Sequence, residues 1–173
     1  MATTNNWVID NTHSEISFKV RHLMISNVTG YFREFDGGLA ADSENLLDGK
    51  FSFAAKIDSI DTNQKDRDTH LKSADFFDME NHPELKFEST EFKDGKLHGT
   101  ITIRGNSQPI ALDVDFNGVV QDGYGQTKAG FEIEGSINRK DFGLNYSSIT
   151  EAGGVVVGDK DRLFANVHFT KQD

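Results

Sequence analysis

The chain has 173 residues, a net charge of −10, a pI near 5.0 and no cysteine. This length suits one domain with its own core, which we assign to residues 1–173. The lack of cysteine excludes disulfides, thiolate catalysis and cysteine-ligated zinc. The acidic balance argues against nucleic acid as a partner. No apolar run is long enough for a transmembrane helix, so we expect no stable membrane insertion.

The aromatic residues are unevenly distributed, with 14 Phe, 3 Tyr and 1 Trp. Phenylalanine has no polar group, so it must be buried in a core or line an apolar pocket. Because the mean hydropathy is −0.52, apolar and polar faces must be sharply separated. The N-terminal sequence MATTNNWVID has neither the basic region nor the apolar region of a signal peptide, so we expect a cytoplasmic protein.

Most of the chain alternates between apolar and polar residues, as strands with one buried face do. About eight strands are predicted, over residues 16–22, 28–39, 51–57, 85–88, 97–103, 110–116, 129–137 and 163–169. The second strand changes phase after Glu34, which predicts a bulge or bend. Asp94-Gly95 predicts a tight hairpin. Short turns join the strands that follow Pro83, so these should be antiparallel neighbours in a meander.

The longest stretch without alternation is residues 61–77, DTNQKDRDTHLKSADFF. Asp61 or Thr62 is predicted to cap a short charged helix. This helix leads into the adjacent apolar residues Phe76 and Phe77. A charged turn that ends on two phenylalanines is predicted to lie across the mouth of an apolar interior.

The strands must bury their apolar faces against one another, either in a sandwich or in a closed barrel. The meander and the strand lengths favour an all-β fold, an extended eight-stranded antiparallel β-barrel. A barrel of this size is either filled by side chains or holds one small ligand. The inward positions include the small residues Gly30, Gly99, Gly135, Ala55, Ala129 and Ala165. These small residues either leave room for a ligand or offset the phenylalanines, and composition leaves both readings open.

Few residues indicate chemistry. The six histidines are not spaced as ligand pairs, so no metal site is predicted. No nucleophile elbow, phosphate-binding loop or dinucleotide motif is present, so no catalytic residue and no cofactor are assigned. A proton-handling group of Asp66, Asp68 and His70 is the enzymatic alternative. For Arg67 and Asp68, a structural ion pair that fixes the helix to the barrel rim is favoured over catalysis.

Five blocks of the sequence together resemble the YceI-like family of lipid-binding proteins. They are WVIDNTHSEISFKVRHL (7–23), VTGYFREFDGGL (28–39), SIDTNQKDRDTHLKSADFFDMENHPELKFEST (59–90), LHGTITIRGNSQPIALDV (97–114) and INRKDFGLN (137–145). The blocks occur in order and with the spacing of that family. The resemblance implies a hollow, lipocalin-like barrel with short helices near its mouth and no catalytic activity. It also suggests a homodimer, without indicating an interface.

The resemblance implies a tunnel that binds a long-chain amphiphile such as a polyisoprenoid, an isoprenoid quinone, a prenyl phosphate precursor or a fatty acyl lipid. The inward positions then predict the tunnel wall: Phe18, Val20, Phe32, Phe51, Phe53, Ile57, Phe87, Ile101, Ile103, Leu112, Val114, Phe131, Ile133 and Leu163. Leu71, Phe76 and Phe77 would close the mouth. Arg67 and His70 are candidates to contact a polar head group, and inward-facing His22 is either a buried histidine or a further head-group contact. The alternatives are an enzyme acting on such a lipid and a stress-related protein with a solid barrel.

Overall fold

The computed structural model describes residues 6–22, 26–41, 46–74, 76–144 and 157–172. Within these ranges the chain forms a single antiparallel sheet with one short α-helix, α1 (Lys65–Lys72), and four short 3-10 helices. The strands are β1 (Trp7–Ile9), β2 (Glu15–His22), β3 (Ser26–Phe32), β4 (Phe35–Ala40), β5 (Lys50–Lys56), β6 (Ile60–Asp61), β7 (Glu84–Lys93), β8 (Lys96–Ile103), β9 (Asn106–Gln121), β10 (Thr127–Asn138) and β11 (Val157–Lys171). None of the helices described is long and apolar enough to cross a membrane.

The sheet closes into a barrel because β1 pairs on one side with β4 and on the other with β11. Eight strands form the closed ring, in the order β1, β4, β5, β7, β8, β9, β10 and β11. Strands β7 to β11 are consecutive antiparallel neighbours. The predicted eight-stranded barrel and its meander are therefore confirmed.

The second predicted strand is divided into β3 and β4, and an unpredicted strand, β1, precedes the first predicted strand, which is β2. A 3-10 turn at Asn11–His13 separates β1 from β2, and both strands pair with the same edge of β11. Residues 33 and 34 separate β3 from β4, where the phase of alternation changes. The predicted bend is confirmed, and the described residues form eleven strand segments instead of about eight. Strands β2, β3 and β6 lie outside the closed ring and extend the wall toward α1.

The interior is densely packed at the end of the barrel opposite α1. The rings of Phe51, Phe131 and Phe169 form a cluster in which the centroids are 5.2 to 6.0 Å apart. The 51–131, 51–169 and 131–169 pairs all meet edge to face, a favourable arrangement for aromatic quadrupoles. All three side chains are almost completely buried. This aromatic cluster closes the end of the barrel opposite α1, which we call the lower end.

A largely buried ion pair fastens the break between β1 and β2 to the wall. The Lys128 ammonium donates to Asp10 Oδ2 at 2.9 Å and to Thr170 Oγ1 at 2.6 Å. His13 Nδ1 lies 2.7 Å from the same Asp10 oxygen. Burial by itself would raise the pKa of the Asp10 carboxyl. The hydrogen bonds and positive charges of Lys128 and His13 lower it by a larger amount, so the pKa falls to about 2.

Replacing Lys128 with methionine should lower the free energy of unfolding at pH 7 by about 1–2 kcal/mol, because the carboxylate loses its cation. The folded-state pKa of Asp10 lies below its ordinary value of 3.8. The stabilisation that the ionised Asp10 carboxylate gives the folded state is therefore fully present above pH 3.8 and is lost as the pH falls toward 2. Part of this acid-dependent loss should disappear in Lys128→Met. Urea denaturation at pH 7, 4 and 2.5, followed by the fluorescence of Trp7, measures both effects.

The matched control is Lys96→Met. Lys96 Nζ lies 3.0 Å from Asp113 Oδ1 in a well-exposed pair, so its loss should change stability by less than about 0.5 kcal/mol. Equal losses of stability in the two variants would contradict a special role for the Asp10–Lys128 pair.

Candidate functional site

An apolar cavity lies inside the barrel, above the aromatic cluster. Its volume is about 70 Å³, and it is partly open to solvent. The lining comes from β2, β5, β7, β8, β9, β10 and β11, and consists of Ile16, Ser17, Phe53, Ala55, Leu85, Phe87, Ile101, Leu112, Ile133, Glu134, Leu163, Phe164 and Ala165. Pockets for small ligands typically enclose about 300–1,000 Å³. A long-chain ligand in this cavity would therefore require the bordering side chains to move.

The predicted wall residues fall into two groups. Those that line this cavity are Phe53, Phe87, Ile101, Leu112, Ile133 and Leu163. Those that lie outside its lining, in packed or half-buried layers, are Phe18, Val20, Phe32, Phe51, Ile57, Ile103, Val114 and Phe131. His22 ends β2, and its side chain falls outside the described part of the structure.

Besides Phe164, which is out of phase with the inward residues of β11, four apolar lining residues were missing from the predicted wall: Ile16, Ala55, Leu85 and Ala165. The alternation along β2, β5, β7 and β11 places each of them on the inward face, so the signal was present in the sequence.

Glycines in the wall lie under large inward side chains. A methyl group at residue 30 would collide with the Phe18 ring, and Phe18 is the cross-strand partner of Gly30. A methyl group at residue 99 would lie 2.7 Å from two atoms of the Phe87 ring. Leu112 covers Gly135 in the same way. These glycines do not themselves form empty space, since each makes room for its neighbour to lie against the wall.

The stretch at 61–77 contains the predicted helix, but the predicted cap is wrong. Gln64 caps α1, with its side-chain oxygen accepting from Arg67 N at 2.6 Å. Asp61 belongs to β6, and its carboxylate accepts from the backbone N–H of Asn63 and from Arg33 Nε. Those two hydrogen bonds lower the pKa of the Asp61 carboxyl. Because Asp61 is engaged in this turn, the helix begins later than predicted.

Arg67 and Asp68 anchor the stretch, although not through the predicted ion pair. Both side chains hydrogen bond to Thr62, which is almost completely buried. Arg67 donates from Nε to Thr62 Oγ1 at 2.8 Å and from Nη2 to Thr62 O at 2.6 Å. Asp68 Oδ1 accepts from the backbone N–H and the hydroxyl of Thr62. The hydroxyl can thus serve as donor and acceptor at once, so Thr62 joins the two charged groups.

The apolar residues in the last turn of α1 and after it pack into the barrel. Phe76 and Phe77 are buried, and Leu71 packs against the core. The Phe77 ring meets Phe32 edge to face at 6.3 Å, and His70 meets Phe76 in the same manner at 5.2 Å. This end of the interior is therefore covered by the segment that the sequence placed there. His70 is not part of the cavity lining described above.

The enzymatic alternative gains little from this geometry. The Asp68 carboxylate is held by Thr62, whereas Asp66 is exposed on α1. In the described part of the chain, no group of three or more His, Asp or Glu residues could hold a metal ion.

Comparison with known proteins identifies the barrel. The model of the YceI-like domain matches residues 7–169. The chain belongs to the YceI-like family. The UPF0312 protein of Staphylococcus epidermidis is 38% identical over 162 residues, which cover 93% of this chain and 95% of that protein.

Solved structures share the YceI-like barrel. A YCEI protein from Campylobacter jejuni superposes with a TM-score of 0.74 at 32% identity, over 88% of this chain and 90% of that one. A domain from Saccharophagus degradans superposes with a TM-score of 0.76 over 97% of this chain and 99% of its own, and it is described as a polyisoprenoid-binding domain. Its identity to this chain is 12%, so that likeness concerns the fold alone.

Replacing Thr62 with valine should loosen the mouth of this YceI-like barrel. Valine keeps the shape but removes the hydroxyl that joins Arg67 to Asp68. We expect the free energy of unfolding to fall by about 1–2 kcal/mol, with faster amide exchange in α1 measured by hydrogen–deuterium exchange. The control is Thr69→Val, since Thr69 is exposed on α1 and bonds only its own helix at Lys65 O. Unchanged protection of α1 in Thr62→Val would contradict the anchoring role.

Proposed function

We propose that this protein binds, stores or transports a long-chain amphiphile, a polyisoprenoid such as an isoprenoid quinone or a prenyl phosphate precursor, without catalysing a reaction. The observation that carries the proposal is the apolar cavity inside the closed barrel, which residues of seven strands line. Membership of the YceI-like family supports a binding protein. The description of the Saccharophagus degradans domain, which has the same fold, supports a polyisoprenoid as the ligand class.

Burial of the chain would supply the affinity. Each methylene group removed from water contributes about 0.8 kcal/mol, so a chain of ten or more carbons needs no strong polar anchor. Ordering the flexible ligand offsets part of this gain. The lining is almost wholly apolar, which suits a hydrocarbon chain and offers little to a polar substrate.

A polar head group would lie near the mouth, where Arg67 and His70 remain the candidate contacts. Thr62 already accepts from two nitrogens of the Arg67 guanidinium. This bonding orients Arg67 and leaves Nη1 as the donor best suited to a phosphate or a carbonyl. The assignment of Arg67 and His70 to head-group binding stays a prediction.

The other partner predictions come from the surface. The prediction that nucleic acid is not a partner is supported by charge, since the outer face of β9 and β10 places Asp113 opposite Glu134 and Asp115 opposite Glu132. Such an acidic surface repels phosphates. A cytoplasmic location and the absence of stable membrane insertion stay predictions from the sequence.

We further propose a homodimer formed through β9. Strand β8 pairs with β9 only as far as Asp113, and among the described residues no strand occupies that edge from 114 to 121. The β9–β10 hairpin also exposes Phe116, Val119, Val120 and Tyr124. Free backbone donors and acceptors on an apolar edge accept another strand.

A second copy of this chain fits that edge. Phe116 lies opposite Phe131 and Val119 lies opposite Ala129, so both side chains point to the inner face of the sheet. Antiparallel self-pairing with Phe116 opposite Val119 of the second copy therefore puts matching faces together. A symmetric pairing of this kind closes as a dimer.

The lipid proposal is tested by organic extraction of the purified protein followed by mass spectrometry. We expect about one long-chain lipid per barrel. We also expect Ala165→Leu to weaken the uptake of tritiated geranylgeraniol from phosphatidylcholine vesicles by at least about tenfold, because the larger side chain fills the cavity.

The control for that variant is Ala111→Leu, which adds the same atoms at an exposed position of β9. Equal uptake by the two variants would place the lipid elsewhere. A protein that yields no lipid and takes up no geranylgeraniol would overturn the proposal. Turnover of geranylgeranyl diphosphate that is lost in His70→Ala would instead support the enzymatic alternative.

The dimer proposal predicts that Val119→Lys is a monomer, because an inward charge on a sheet edge opposes strand pairing. Light scattering after size-exclusion chromatography measures the mass of the wild-type and variant proteins. The control is Tyr124→Lys, which places the same charge in the β9–β10 turn and should leave the dimer intact. A monomeric wild-type protein, or a dimer that survives Val119→Lys, would refute this interface.

A further inference from the structure

Two hairpin turns of the barrel have the same backbone but different residues. Asp94-Gly95 joins β7 to β8, with φ angles of 56° and 79°. Arg104-Gly105 joins β8 to β9, with φ angles of 52° and 73°. Two positive φ angles define a type I′ turn, whose first position favours Asn, Asp or Gly. Asp94 agrees with this preference, whereas Arg104 occupies a left-handed conformation that a long side chain rarely adopts.

The Arg104 side chain explains why arginine occupies that strained position. Its Nη1 donates to Gly143 O at 2.8 Å, and its Nη2 donates to Ala74 O at 2.9 Å. Gly143 ends the 3-10 helix at Arg139–Phe142, whereas Ala74 lies between α1 and Phe76. One guanidinium thus joins two segments that are distant in sequence and lie at the same end of the barrel. Strained backbone at such a place is characteristic of a functional position.

Both joined segments cover the interior. Phe76 and Phe77 are buried on one side, and Phe142 and Leu144 are buried on the other. The β8–β9 turn and the residues after it make more hydrogen bonds to the 3-10 helix than to the segment that contains Ala74. The 3-10 helix is also held by Asn106 Nδ2, which donates to Phe142 O at 2.8 Å, and by Gln108. Loss of the Arg104 bonds should therefore release the Ala74 side first.

We propose that Arg104 is the latch of the barrel mouth, a positioning residue that sets how fast a long-chain ligand enters and leaves. The inference rests on the proposed function, because a ligand longer than the 70 Å³ cavity must displace the covering segments. Both acceptors are backbone carbonyls, so the guanidinium fork holds the two segments whatever side chains they carry. The latch acts on the mouth and does not require Arg104 to touch the ligand.

The test replaces Arg104 with asparagine, which suits the turn and removes both bonds. In the ligand-free protein, amides of residues 71–79 should exchange at least about fivefold faster, measured by hydrogen–deuterium exchange. With cis-parinaric acid as a fluorescent long-chain probe, stopped-flow association and dissociation rates should both rise by at least about fivefold, while Kd changes by less than about threefold. Removing a latch lowers the barrier in both directions, so the rates change more than the affinity does.

Two further variants make the result decisive. Asp94→Asn makes the same kind of change in the matched hairpin and should alter neither exchange at 71–79 nor probe kinetics. Arg104→Lys retains a single charged donor, so its rates should lie between those of the wild-type protein and Arg104→Asn. It also tests the latch if Arg104→Asn fails to fold.

Wild-type exchange and wild-type rates in folded Arg104→Asn or Arg104→Lys would overturn the latch. Binding lost without any change in exchange would also overturn it, since that result makes Arg104 a ligand contact. If the wild-type protein binds no parinaric acid, the proposed lipid site fails for this probe. The exchange measurement on the ligand-free protein then decides by itself whether Arg104 holds the mouth closed.

Discussion

Closure of the barrel through the three residues of β1 is the constraint on which the other features depend. Because β1 pairs with both β4 and β11, the ring of eight strands has a fixed circumference. The barrel interior therefore has a limited volume. Most of the 14 phenylalanines must share that volume with the aliphatic side chains of the same strands. How the rings are arranged determines whether any space remains for a ligand.

The structure reconciles many large rings with an internal cavity by placing rings over glycines. Phe18 lies over Gly30, and Phe87 lies over Gly99. A ring that lies against the wall projects less into the lumen than one that points at the barrel axis. Below the cavity, Phe51 packs edge to face against Phe131 and Phe169. The same residue type thus forms a solid layer at one level and a thin wall at the next.

The polar chemistry of the barrel mouth is mainly structural. Thr62 accepts from Arg67 and donates to Asp68, so the most charged stretch of the chain is used to hold a turn. The Arg104 guanidinium donates hydrogen bonds to two backbone carbonyls. An apolar site that gains its affinity from burial needs few polar contacts with the ligand. Its mouth still needs specific hydrogen bonds, because unpaired backbone groups near an apolar interior are costly.

The sequence by itself determined the strands, the meander, the bend after Glu34 and the covering role of Phe76 and Phe77. These features follow from alternation and turn chemistry, which act between residues close together in the chain. The tertiary structure alone decided the cap of α1, the sharing of Thr62 and the placement of rings over glycines. It also decided which inward residues line the cavity and gave Arg104 its two carbonyl partners. The ring placement, the cavity lining and the Arg104 bonds depend on distances between groups that only the closed barrel brings together. The cap and the Thr62 bonds join residues close in the chain, but several neighbouring polar side chains could have made them, so the pattern alone did not select the partners.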